Sequence, residues 1–149
     1  MNDLLILLGW VGIYGSMALA AIGSTIGCAI AGQAAIGALL DSEGGYGRYI
    51  GISVMPSSQI IYGIVVMFTL NRDVTGEVGG ALFGIGVLAG VALMYSGIRQ
   101  GYCCASAINA IKIKPEVFGI SLAPAAMVEG FSVFIFIFAL VISASIPTG

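Results

Sequence analysis

Four apolar runs, at about residues 10–38, 49–71, 80–111 and 117–146, are each long enough to cross a ~30 Å hydrocarbon core as a helix. That pattern leaves few folds open. Backbone groups in lipid must be satisfied within the chain, so helices are the expected solution. Charge supports the reading: only 8% of the residues are charged and 59% are hydrophobic, against about 25% charged in a soluble domain. Asp3 lies at the start, Asp41, Glu43 and Arg48 in the first break, Arg72, Asp73 and Glu77 in the second, and Lys112, Lys114 and Glu116 in the third. Arg99 and Glu129 alone remain inside apolar runs. No Lys or Arg precedes the first run, which is too long for a signal peptide, so it is read as a retained helix. The expected fold is an all-α membrane protein of four transmembrane helices in two tandem hairpins, residues 1–75 and 76–149.

Loops 41–48 and 112–116 carry Arg48, Lys112 and Lys114, whereas the middle loop carries only Arg72. The positive-inside tendency therefore puts those two loops in the cytoplasm and both termini outside the cell membrane. Net charge, at −2, says little about partners, and no nucleic-acid partner is expected. Cys28, Cys103 and Cys104 fall within apolar runs of a chain with no histidine. A zinc site is not expected, and the thiols read as small apolar side chains.

Glu129 is the most informative single residue. An acid at the centre of a membrane helix costs roughly 2.5–3.5 kcal/mol on insertion scales. Such a residue holds a proton, holds a cation or pairs with a base, and each option implies a different function.

The two halves share a pattern more than residue identity. The first helix of each is dense in Gly and Ala, with Gly23 and Gly27 in one and Gly97 and Gly101 in the other. The second helix of each is bulkier and carries a proline in its first third, in VMPSSQIIYG and then LAPAAMVEG. Small–bulky followed by small–bulky points to an internal duplication. Small residues four apart allow backbone-to-backbone approach. Gly15, Gly23, Gly27 and Ala31 therefore fit either ordinary tight packing or the inner wall of an oligomeric ring. In the ring reading, Phe131, Phe134, Phe136 and Phe138 face lipid on the outer wall.

Met55, Ser58, Gln59 and Tyr62 stand at i, i+3, i+4 and i+7 and share one arc of about 100° on the second helix. Pro56 lacks an N–H and deprives carbonyls such as that of Ile52 of their usual donor. Counting inward from the charged loops, Gln59, Gln100 and Glu129 all lie roughly 16–20 Å deep at ~1.5 Å per residue. Oxygen donors around a single carboxylate suit Na⁺ or a proton and argue against transition metals and calcium. A cation would cancel the charge of Glu129 and make the loaded helix cheaper to expose to lipid. A protonated Glu129 bonded to Gln59 as a purely structural feature is the bland counterpart. Arg99 precedes Gln100 and points about 100° away from it, so it need not pair with Glu129.

The motifs MPSSQIIYG, SGIRQG and AAMVEG, across nearly the whole chain, resemble the proteolipid (c or K) subunit of V-type rotary ATPases, most of all the bacterial sodium-translocating kind. The resemblance implies a Na⁺ site of Glu129, Gln100, Gln59, Ser58 and the Met55 backbone carbonyl, with Tyr62 stabilising Glu129. It also implies a homo-oligomeric ring that turns against a stationary membrane subunit bearing an essential arginine. Central-stalk subunits would meet the cytoplasmic loops, and the chain itself would bind no nucleotide. Ser58 stands where Thr is usual in the family, and Arg99 adds a charge beside Gln100. Three other readings remain: the same rotor carrying H⁺, a stand-alone two-repeat channel or transporter, and a structural four-helix protein.

Overall fold

The computed structural model describes residues 1–147. The expected end of the second hairpin takes in Thr148 and Gly149, which lie outside the described residues. In chain order the elements are α1 (Asn2–Leu40), α2 (Tyr46–Ser53), a 3-10 turn (Met55–Ser57), α3 (Ser58–Leu70), α4 (Gly79–Ile113), a 3-10 turn (Pro115–Val117), α5 (Phe118–Ser121) and α6 (Ala123–Ser143). Four stretches, Asn2–Leu40, Tyr46–Leu70, Gly79–Ile113 and Pro115–Ser143, are long and apolar enough to cross a bilayer. The protein is an all-α, multi-pass membrane protein.

Helix ends differ from the expectation for physical reasons. The first helix starts at Asn2 rather than near residue 10, because Leu4 to Leu8 continue the run of helix formers. The second run starts at Tyr46, just after Gly45 turns the chain at φ 77°. It then divides at Pro56, which sits in the 3-10 turn. The Ile52 carbonyl is not left free, since the Val54 N–H bonds to it. The last helix ends at Ser143, short of residue 146. There the Arg72 guanidinium donates to the carbonyls of Ser143 (3.3 Å) and Ile146 (3.0 Å), as well as to Thr69 (3.2 Å). A cation at a helix C-terminus satisfies orphan carbonyls and complements the dipole. Arg72 thereby ties the C-terminal ends of the two hairpins together.

The glycines explain the centre. Gly12 faces Gly86, Gly23 faces Gly97 and Gly27 faces Gly101, so α1 and α4 run parallel along one seam. A Cβ on Gly101 would lie 2.5 Å from the Gly27 Cα, and one on Gly97 would lie 2.8 Å from the Gly23 carbonyl carbon. At Gly86 it would overlap the Gly12 carbonyl. Lipid provides no hydrophobic drive between helices, so close van der Waals packing has to hold this pair. Gly15 joins the seam, lying under Gly90.

α3 packs on α1, α6 packs on α4, and α3 touches α6, which makes two layers. One apolar cluster gathers Ala31, Ala35, Tyr49, Ile52, Cys104 and Ile108 towards the 41–48 loop. Another gathers Ile13, Val66, Leu70, Leu82 and Ala139 towards the opposite end. Phe131, Phe134 and Phe138 are exposed on the outer layer, in line with the sequence. Phe136 is the exception, for it turns inward and stacks on Tyr62 with 5.2 Å between ring centroids. The polar residues of the site lie between the two apolar clusters.

Candidate functional site at Glu129

The break at Pro56 sets up the first hairpin's share of the site. α3 begins at Ser58, so Ser58, Gln59 and Tyr62 occupy its first two turns. The junction is braced by the Ser24 hydroxyl of α1, which accepts the Ile60 N–H at 3.0 Å. From the second hairpin, Gln100 enters from α4 and Glu129 from α6.

Four of these side chains donate to the Glu129 carboxylate. Oε2 accepts from Ser58 Oγ (2.7 Å), Gln100 Nε2 (2.9 Å) and Gln59 Nε2 (3.3 Å). Oε1 accepts from Tyr62 Oη (2.6 Å). Charge-assisted bonds of this kind are about twice as strong as neutral ones. Gln59 and Gln100 are fully buried, at 0% exposure, while Glu129 is half-buried. The Met55 carbonyl does not meet the carboxylate by hydrogen bonding, since both are acceptors; it accepts from the Ser58 N–H and from Ser58 Oγ (3.3 Å).

Behind this first layer stand two residues that sequence reasoning missed. The two hydrogens of Gln59 Nε2 are shared among three acceptors, Glu129 Oε2 and also Gln100 Oε1 (2.8 Å) and Ser132 Oγ (3.2 Å). Ser132 Oγ lies 2.6 Å from Ser96 Oγ, and both serines are buried. A helical-spacing signal was available: Ser132 is three residues past Glu129 and Ser96 four before Gln100, on the same faces. Gln100 Nε2 makes one more bond, to the Ala125 carbonyl at 3.2 Å. One buried polar atom, Gln59 Oε1, has no hydrogen-bond partner among the described residues.

Arg99 takes no part in this cluster. It is exposed, and its guanidinium carbon lies 6.0 Å from the Tyr95 ring centroid and 5.8 Å from that of Tyr102. Those distances are in the range of cation–π attraction. Among the described residues the ion pairs are Lys112–Asp41 and Lys114–Glu116, both at the loops.

The sequence profile of the ATP synthase C subunits matches residues 11–70 and again residues 83–142. The chain belongs to the ATP synthase C subunit family. It carries the family's two-helix unit twice, once in each hairpin, and is a proteolipid of the V-type c or K kind. Among similar proteins, the A-type ATP synthase subunit K of Methanocaldococcus jannaschii is 36% identical over 123 residues, covering 80% of this chain and 56% of that protein. The V-type sodium ATPase subunit K of Enterococcus hirae is 30% identical over 129 residues, 83% of each chain. The chain thus spans little more than half the length of the archaeal relative.

Proposed function

We propose that this V-type proteolipid is a rotor-ring subunit that carries Na⁺ on Glu129. The observation that carries the reading is the convergence of both hairpins on one carboxylate, with a buried amide oxygen, Gln59 Oε1, left without a donor. An unsatisfied buried acceptor costs roughly 1–3 kcal/mol. A hard cation takes such an oxygen as a ligand, as it does the carboxylate and hydroxyl oxygens nearby. The sodium ATPase named among its relatives supports the choice of ion.

In this reading the oxygens of Gln59, Gln100, Ser58 and Met55 hold Na⁺ against Glu129, and Tyr62 keeps the second carboxylate oxygen in place. Before loading, Glu129 is an anion held by four donors. After loading, its charge is cancelled and its helix can pass lipid. A stationary membrane subunit with an essential arginine offers the emptied anion a cationic surface. Copies of the chain form the ring, the hairpins divide at residues 75/76, and loops 41–48 and 112–116 face the cytoplasm and the central stalk. Both termini lie outside.

The test is carbodiimide modification of Glu129 in membranes, with and without Na⁺, at neutral and alkaline pH. Na⁺ is expected to protect the carboxyl at both. Modification that responds to pH and ignores Na⁺ would make the ring a proton carrier instead. Ion flux from the purified chain in vesicles without soluble partners would favour a stand-alone channel, and a silent Glu129→Gln change would favour a structural protein.

A further inference from the structure

We infer that the buried Ser132–Ser96 hydroxyl pair is a positioning element that lets the Gln59 amide turn its oxygen toward a cation, and so sets how tightly the site binds it. The inference rests on the cation-carrier reading above and concerns residues beyond the expected ligand set.

Around the bare anion Ser58, Tyr62 and Gln100 each present a hydrogen to Glu129, and Gln59 presents Nε2 to it. That orientation strands Gln59 Oε1 in a fully buried position. A cation reverses the demand, because the site then needs oxygens where it had N–H groups. The last torsion of a glutamine is broad and two-fold, so a half-turn exchanges the two atoms without moving the chain. Whether the turn is tolerated depends on what the amide touches from behind.

The two glutamines differ here. Gln100 Nε2 is held by the Ala125 carbonyl at 3.2 Å, a group that can only accept, so this amide is pinned. Gln59 Nε2 is backed by the Ser132 hydroxyl at 3.2 Å, which can accept or donate. Ser132 in turn lies 2.6 Å from Ser96 Oγ, where either oxygen can be the donor. Both hydroxyls also reach the Val128 carbonyl at 3.4 Å. With the site empty, Ser132 accepts from Gln59 and donates to Ser96 or to Val128. With a cation bound, Ser96 donates to Ser132 and Ser132 donates to the turned Gln59 Oε1. The Gln59 NH₂ moves into the space its oxygen vacates. Two carbonyl oxygens, from Gln59 and Gln100, then face each other at the distance now spanned by their 2.8 Å hydrogen bond. They repel unless a cation lies beside them, so the turned state favours an ion over an empty site.

The experiment uses the full chain in membranes, with Glu129 labelled by a carbodiimide at fixed neutral pH, where the carboxyl can take up the proton the reagent consumes, while Na⁺ is titrated. Labelling without Na⁺ reports that each variant has formed its site. Ser132→Ala is expected to raise the half-protecting Na⁺ concentration about tenfold, the worth of one buried hydrogen bond. Ser132→Thr, which keeps the hydroxyl, is expected to stay near wild type. Ser96→Ala is expected to shift it about threefold, because Ser132 retains the Val128 carbonyl. Equal protection of Ser132→Ala and wild type overturns the inference. So does a loss in Ser132→Thr as large as in Ser132→Ala, since volume and not the hydroxyl would then matter. If Ser132→Ala does not label, an unshifted Ser96→Ala overturns it. Absence of Na⁺ protection in the wild-type chain overturns the sodium reading and this inference with it, and is seen before any variant is made.

Discussion

The two hairpins are built alike and charged differently. Each pairs a long, glycine-dense helix with a bulkier one interrupted by a proline, Pro56 in one and Pro124 in the other. Yet the first hairpin brings only neutral groups to mid-depth, Ser58, Gln59 and Tyr62, whereas the second brings Glu129. Three of the four donors to the carboxylate therefore come from the hairpin that lacks one. A second carboxylate in place of Gln59 would set two anions side by side in a buried site, where they cannot both ionise cheaply. One half of the duplication keeps the charge and the other has become its holder. Under the proposed function, that division means one ion for every four helices.

The most severe way to break this asymmetry is Glu129→Gln, which removes the charge from the charged half. Under the proposed function, Na⁺ transport and carbodiimide labelling are both expected to vanish while the chain still inserts, as read by ATP-driven transport in vesicles that hold the assembled ATPase and by membrane yield. Gln59→Leu attacks the holder instead. It removes a donor to Glu129 and strands Gln100 Oε1, so the half-protecting Na⁺ concentration is expected to rise about 10–100-fold, as for lost supporting bonds at metal sites. Gly86→Ala tests the seam that keeps the hairpins in register. A Cβ there overlaps the Gly12 carbonyl, and overpacking costs about 1–3 kcal/mol, to be measured as reduced thermal and detergent resistance. Tyr62→Phe deletes the 2.6 Å bond to Oε1 but keeps the ring against Phe136. A rise of about tenfold or more in half-protecting Na⁺ is expected for one charge-assisted bond. Arg99→Gln should matter least. Its contacts are Tyr95 and Tyr102 and not the carboxylate, so a change of more than about twofold in Na⁺ protection would contradict its separation from the site.

Much was legible because a membrane simplifies the code. Apolar length alone announced four spanning helices, and counting ~1.5 Å per residue placed Gln59, Gln100 and Glu129 at one depth. The 100° step of a helix turned Arg99 away while Gln100 faced inward, and the distances agree. Other features were hidden because they depend on neighbours far away in the chain. Ser132 and Ser96 look like ordinary small helix residues until α4 and α6 come together. Phe136 belongs to a row of phenylalanines whose other exposed members face outward, and only the position of Tyr62 gives it a partner inside.

The sequence by itself determined the material of this protein: spanning helices, a duplicated small–bulky plan and a lone acid that had to be accommodated at depth. Those follow from hydrophobicity and helical periodicity, which are local properties of the chain. Tertiary structure decided how the acid is accommodated. The glycine seam brings α1 and α4 into backbone contact, and that approach carries α3 and α6 close enough for Ser58, Gln59, Tyr62 and Gln100 to meet Glu129. Hydrogen bonds form only over about 3 Å, so which hydrogen faces which oxygen is settled by packing, after periodicity has chosen the face.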